Sequence, residues 1–508
     1  MLGTLGRVVG IAILAIQPRF LLANPISTSL VAESANEVRV QTDLALLIGE
    51  YNQTWNLTHF RRIPFADSTA GKNRFRAPQP PRPIEGTYDT RRGFDMCPQR
   101  EDSGSEACLF LGLYSRPWKD GSPLRPVLVT FYGGGFVRGS ATFDLPPSGY
   151  PVLNASALND YVVVYPNYRT NMFGFLPGKK IKEHPEVDLN PGLLDQQAAL
   201  QWVQDNIAKF GGDKKNVTIW GQSAGGGSVV AQTIARGNKG KRLFSKAMAS
   251  SPFWPKTYNY DDAEAEEIYD MTVEKVGCKG QVDEIQCLKD ADLQVLRKAA
   301  LEIVSSHSHT TSSYTWAPVI DGEFLAELLT DAIEKGKINA ELAFTTYNLH
   351  EGENFIPSGF QSSAGEGGFN SSAASFEGWL RGFLPRFPNA KLQELIKLYP
   401  PQGTAEEIKY TNTYERAGLL YRDAVLACPA FWISKTAKHG WIADYTISPA
   451  QHASDTKYVG KFRSDNMYQA YYCSVEYHQR YSKDRPAHVP SLYWFHGLVC
   501  VHWRPKRS

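Results

Sequence analysis

A predicted strand, a tight turn and a predicted helix meet at Gly221-Gln222-Ser223-Ala224-Gly225. Upstream, Asn216–Trp220 is β-branched and apolar, as a buried strand is. Downstream, Gly226–Ala235 reads as a helix closed by Gly237. Glycines on both sides of the serine let strand and helix approach closely across a strained turn. Ser223 would then stand exposed at the positive end of a helix, the arrangement of a nucleophile elbow for acyl transfer. A G-x-S-x-G pentapeptide alone is also an ordinary small-residue turn, so a second catalytic element is needed.

That element is Tyr132-Gly133-Gly134-Gly135-Phe136, which follows the predicted strand Val127–Phe131. A strip of glycines leaves backbone N–H groups open to a substrate. Acyl transfer uses such donors to hold the oxyanion, each worth roughly 3–4 kcal/mol of barrier. The alternative is a flexible turn.

Strands alternate with helices through the first half. Leu109–Leu111, Val127–Phe131 and Tyr161–Tyr165 read as strands, and Asp195–Phe210 as a helix stopped by Gly211-Gly212. This alternation predicts an α/β fold with a mostly parallel sheet. From Asp261 to about Lys337 the pattern is mainly helical, like a cap inserted into the sheet fold, and Ser358–Ser375 reads as a long surface loop. The chain has no internal repeat. A net charge of +2 without a basic stripe argues against a nucleic-acid partner.

The amino terminus reads as a secretory signal over about residues 1–23. Arg7 precedes the apolar run Val8–Ile16, which is too short to span a bilayer. No later segment is apolar enough to span one. Seven cysteines suit an oxidising compartment, with Cys97/Cys108 and Cys278/Cys287 the nearest pairs and at least one thiol left over. Glycan acceptor motifs begin at Asn52, Asn56, Asn154, Asn216 and Asn370; Asn216 opens the strand before Ser223 and is the poorest of them. His307 and His309 form an H-x-H pair without a third ligand nearby, so no metal and no cofactor is expected.

Six motifs together resemble the type-B carboxylesterase/lipase family, the cholinesterase-like branch of the α/β-hydrolases, and its secreted fungal members above all. They are Phe131–Phe136, Asn167-Tyr-Arg169, Gly192-Leu-Leu-Asp-Gln196, Phe210-Gly-Gly-Asp213, Val217–Gly225 and Pro318-Val-Ile-Asp-Gly322, and the resemblance runs from about Pro64 to Tyr458. It implies a large mostly parallel central sheet with helices on both faces and a helical cap insertion. It implies hydrolysis of small-molecule carboxylic esters through an acyl-enzyme on Ser223. Glu351, in Asn348-Leu-His-Glu-Gly352, resembles the family's acid. His452, in Ser448-Pro-Ala-Gln-His452 after the predicted strand Trp441–Ile447, resembles its base; residue patterning alone would not choose among 11 histidines. Gly134, Gly135 and Ala224 N–H groups would form the oxyanion hole. Ser251 resembles a serine that hydrogen-bonds the acid. Arg74 with Glu106, and Arg169 with Asp195, match structural ion pairs. Cys97 to Cys108 encloses only ten residues, and in the family this loop forms the flap over the gorge. So short a flap implies soluble esters rather than lipid droplets.

From about 459 to 508 the family's pattern is lost, which fits a shifted reading frame or a retained intron. On that reading, apolar surface beside His452 would be left bare. Two alternatives to the esterase remain open at this point: a non-catalytic binding module on the same fold, and an inactive or misfolded family member.

Overall fold

The computed structural model describes residues 36–99, 104–156, 160–311, 315–401, 403–405, 408–456, 492–495 and 498–501; the side chains within 304–311, 403–409 and 492–501 are not part of that description. The proposed signal segment, most of the tail, Cys473 and the side chains of His307, His309 and Cys500 therefore lie outside the described residues.

The β-branched runs pair into one open sheet. Its strands are β1 (Glu37–Gln41), β2 (Leu46–Asn52), β3 (Leu57–Pro64), β4 (Thr87–Asp89), β5 (Phe110–Ser115), β6 (Arg125–Phe131), β7 (Val162–Pro166), β8 (Gly212–Gln222), β9 (Lys246–Ser250) and β10 (Leu342–Asn348). After a small separate hairpin, β11 (Gly403–Ala405) with β12 (Ile408–Tyr410), the last sheet strand is β13 (His439–Tyr445). The order is β1-β2-β3-β5-β7-β6-β8-β9-β10-β13, with β4 alongside β2. Every neighbouring pair from β7 to β13 is parallel. The run β1-β2-β3-β5-β7 is antiparallel. A hairpin, β14 (Leu492–Phe495) with β15 (Leu498–Val501), completes the strands described.

The predicted strands correspond to β5, β6, β7, β8 and β13, of which β5 pairs antiparallel on both sides and the others have parallel neighbours; β7 (VVVYP) is buried along its whole length, as a strand covered on both faces must be. Helices α1 (Tyr150–Ala155), α2 (Asn171–Phe175), α3 (Lys179–Glu183), α4 (Pro191–Asn206) and α5 (Ala224–Ile234) connect the strands of the first half. Helix α4 begins four residues ahead of the predicted start. Asn190 adopts a left-handed conformation (φ 54°), and Pro191 occupies the first turn, where its missing N–H costs nothing.

The predicted cap lies between β9 and β10 as α6 (Ala263–Val276), α7 (Glu284–Asp290), α8 (Leu293–Thr311) and α9 (Leu329–Glu334). Disulfides Cys97–Cys108 and Cys278–Cys287 are both formed, and Cys428 is also disulfide-bonded. Arg74 makes a two-pronged pair with Glu106 at 2.7 Å. Its remaining nitrogen donates to the carbonyls of Lys289 and Ala291 at 2.8 and 2.7 Å, so one guanidinium stitches the cap to the body. Between β10 and β13 run α10 (Ala373–Phe383), α11 (Asn389–Leu398), α12 (Thr413–Arg422) and α13 (Cys428–Thr436).

Ser358–Ser375 is more structured than its composition predicts. It contains a 3₁₀ turn, Ser358–Gln361, and the start of α10, capped where Ser372 Oγ accepts from the Ser375 N–H at 3.1 Å. Phe360 anchors it, fully buried and edge-on to Trp379.

The Arg169–Asp195 pair is also as expected. Arg169 donates from Nε at 2.8 Å and Nη2 at 2.6 Å, and both side chains are buried. Arg169→Met strands the Asp195 charge in the core and is expected to lower the unfolding free energy by about 3–5 kcal/mol, read from denaturant titration.

Candidate active site

Ser223 is the one residue between β8 and α5, at φ 59° and ψ −126°. Few residues with a Cβ adopt such angles, so the surroundings must hold it there. They do so by leaving no room. A Cβ on Gly221 would lie 2.2 Å from the Gly225 carbonyl carbon, and one on Gly225 2.2 Å from the Phe131 carbonyl oxygen at the end of β6. Backbone bonds complete the clamp: Ser223 N–H donates to Ser250 O at 3.0 Å, and Phe253 N–H to Ser223 O at 2.9 Å. Gly225→Ala must push β6 and α5 apart. It is expected to cost about 2–3 kcal/mol of stability and to lower activity with it, measured by thermal unfolding and ester hydrolysis on one preparation.

The glycine strip lies against this elbow. A Cβ on Gly133 would meet Gln222 O at 2.7 Å and Ser223 Cβ at 3.1 Å. Gly134 and Gly135 have φ 111° and 65°, and Tyr132 is pinned by Tyr168, whose hydroxyl donates to Tyr132 O at 2.7 Å under a stacked ring. Among the described residues, no acceptor engages the N–H groups of Gly134, Gly135 or Ala224. Ala224 opens α5, where an amide has no partner within the helix.

β10 ends at Asn348, and Glu351 follows three residues on with no exposed surface. Its Oε1 accepts from the Asn348 N–H at 3.0 Å, and its Oε2 lies 2.8 Å from His452 Nδ1. His452 Nε2 lies 2.8 Å from Ser223 Oγ. The imidazole thus bridges hydroxyl and carboxylate. The loop after β13 aims it: Ala450 and Ala453 have positive φ (49° and 64°), the His452 N–H donates to Asn354 Oδ1 at 2.9 Å, and Phe355 meets the ring edge-on at 5.1 Å.

Asn348 was not singled out from its residue type, yet it joins the two loops. Its Nδ2 donates to Gln451 O at 2.8 Å and Asp455 Oδ1 at 3.2 Å. Burial pushes the Asp455 carboxyl above its ordinary range, and the Glu351 charge adds to the rise. Asp444 is raised in the same way.

The hydrogen bond expected from Ser251 to the acid is not formed. Ser251 is buried at φ 45°, its N–H donates to Thr346 O at 2.7 Å, and its Oγ has no partner among the described residues. The Asn348 amide takes that place beside Glu351. Among the described residues, no group of three His, Cys, Asp or Glu side chains could hold a metal ion, and no helix is long and apolar enough to cross a membrane.

Residues 36–485 match the model of the carboxylesterase family. Secreted triacylglycerol lipase LIP1 of Gibberella zeae is 32% identical over 355 residues, 64% of this chain and 59% of that protein. Carboxylesterase patB of Penicillium expansum is 31% identical over 373 residues, 70% of this chain and 62% of that protein. The match thus spans about three-fifths of these relatives' lengths. The crystal structure of Aspergillus niger EstA superposes with a TM-score of 0.72 over 86% of this chain and 85% of that one, at 24% identity, a likeness of fold. This fold is the α/β-hydrolase fold, and the chain belongs to the carboxylesterase family.

Proposed function

We propose that this chain is a serine carboxylesterase acting on soluble carboxylic esters. The reading rests on one observation: His452 stands 2.8 Å from both Ser223 Oγ and Glu351 Oε2. His452 takes the Ser223 proton as Oγ attacks the ester carbonyl. The oxyanion forms between the Gly134, Gly135 and Ala224 N–H groups. His452 then hands its proton to the departing alcohol, leaving the acyl group on Ser223. Water, deprotonated by His452, attacks the acyl-enzyme and releases the acid. Glu351 holds the Nδ1 proton in place throughout and offsets the positive charge on the ring.

The ten-residue span between Cys97 and Cys108 favours soluble esters over emulsions. Its base is tied down: Gln99 Nε2 donates to Gly139 O at 2.9 Å, and Arg297 Nε to Gln99 O at 3.1 Å. Rates that jump when triglyceride is presented as an emulsion would contradict this part. We also propose export. The disulfides and the secreted Gibberella relative support it. Asn56 and Asn154 are exposed, though Tyr51 Oη donates to Asn56 Oδ1 at 3.2 Å and Arg116 Nη2 to Asn154 Oδ1 at 3.0 Å. The Asn216 side chain accepts from Lys246 Nζ at 2.7 Å within the sheet and is a poor acceptor for sugar.

The test is a series of aryl esters of rising acyl length, with an organophosphate probe and mass mapping of the modified peptide. Hydrolysis blocked by a label on Ser223 supports the assignment. Hydrolysis undiminished by full labelling, or no hydrolysis and no label, overturns it.

A further inference from the structure

The parallel strands lead to the triad at one end. At their other end lies a cavity of about 440 Å³, within the range of small-molecule sites, roughly 300–1,000 Å³. Leu243 and Phe244 line it just before β9, and Asn339 just before β10. β10 is seven residues long, so roughly 20 Å of strand separates this cavity from the loop that carries Glu351.

Among the described residues, no carboxylate lines the cavity. Its mouth is the turn after α5, which carries Arg236, Lys239, Lys241 and Arg242. Arg242 pairs with Glu341. Arg236, Lys239 and Lys241 pair with no carboxylate among the described residues. Glu323, which feels the Arg236 charge, is itself held by Lys182.

Arg236 is fixed in place with donors to spare. Its N–H donates to Phe324 O at 2.7 Å, its guanidinium lies 5.9 Å from the centre of the Phe324 ring, and Nη2 donates to Gln197 Oε1 at 2.9 Å. Nε and Nη1 have no acceptor among the described residues. Arg236 and Asn238 both hold left-handed backbone (φ 54° and 61°), which residues with a Cβ seldom adopt. Behind the cations, the walls carry the carboxamides of Gln197, Gln201, Gln232 and Asn339. Each amide offers both donors and an acceptor, the complement of a hydroxyl group.

Folding also lengthens this basic rim. Gln204 Nε2 donates to Leu243 O and to Lys214 O, both at 2.8 Å, which sets Lys214 and Lys215 beside the turn. Both are exposed. The cations thus run past the cavity, as a track for a ligand longer than the cavity itself.

We propose that this rim binds an acidic polysaccharide. One uronate ring sits in the cavity, its carboxylate on Arg236 and Lys239 and its hydroxyls on the wall amides, and neighbouring rings lie along Lys241, Lys214 and Lys215. A nucleic acid fits less well, because Phe244 in the wall is buried and offers no face on which a base could stack. A lipid surface fits less well, because the cations surround a recess rather than a protruding apolar face.

The test is isothermal titration of the full chain with alginate oligomers, a polymer of uronate rings. Maltodextrin of equal length is the neutral control, and single-stranded DNA of equal charge is the competing polyanion. Alginate should bind and should weaken at least tenfold between about 0.1 and 1 M salt, and maltodextrin should not bind. Lys239→Met combined with Lys241→Met should weaken alginate about tenfold, and so should Arg236→Met. Ala198→Trp, which fills the cavity floor and spares every cation, should remove most of the binding. If that variant does not fold, Gln197→Met makes the same distinction, since it also keeps every cation and should weaken binding about threefold or more. Binding should survive a diethylphosphoryl group on Ser223. No binding of alginate, equal affinity of the parent and the double lysine variant, DNA bound as tightly as alginate, or displacement by the label on Ser223 would each overturn the proposal. None of these readouts requires turnover, so a failed esterase assay leaves the result interpretable.

Discussion

Ser223→Ala is expected to cut kcat for a soluble aryl ester by about 10⁶-fold, with the unfolding midpoint nearly unchanged. The substitution keeps the Cβ, so it adds no strain to the turn at φ 59°. The elbow is clamped by backbone bonds from Ser223 N–H and to Ser223 O, which survive. What disappears is Oγ, with its 2.8 Å contact to His452 Nε2. The residual rate should be that of the amide-lined pocket acting on water alone. Steady-state kinetics on a freshly purified variant, with a thermal melt alongside, check this. A variant that keeps more than about a tenth of the rate would remove Ser223 from the chemistry.

Glu351→Gln is expected to lower kcat by about 10⁴-fold with a much smaller loss of stability. The amide oxygen can still accept from Asn348 N–H, as Oε1 does now at 3.0 Å. The amide nitrogen then faces His452 Nδ1 and donates to it. That moves the imidazole proton to Nε2, and a protonated Nε2 cannot accept from Ser223 Oγ. Ser251→Ala is the internal control. Its hydroxyl has no hydrogen-bond partner among the described residues, so its loss breaks no contact to Ser223, Glu351 or His452 and should change kcat less than about threefold. A large loss from Ser251→Ala with little from Glu351→Gln would reverse the roles given to the two residues.

The elbow was legible because its parts are neighbours in the chain. A β-branched strand, a serine and flanking glycines already imply strain and close approach. The glycine strip was legible for the same reason, and so were β6, β7 and β8 of the parallel half, where continuous apolar runs such as β7 report burial on both faces. The antiparallel strands β1, β2, β3 and β5 alternate less clearly, and pairing between them depends on partners that composition does not name. Asn348 escaped notice because a buried asparagine looks like any polar residue until its two acceptors are seen. Ser251 was misjudged in the opposite direction: a serine beside the elbow resembled a hydrogen-bond donor to the acid, yet its hydroxyl points to no acceptor.

Read alone, the polypeptide determined where the strained serine turn and the glycine strip stand, since local backbone geometry decides both. It did not determine which of 11 histidines meets that serine. Ser223 and His452 are separated by 229 positions, and His452 and Glu351 by 101. Only the packing of β8, β10 and β13 into one parallel sheet brings their ends to the same rim. Hydrogen bonds of 2.8 Å need that long-range order, because no local propensity extends over such separations.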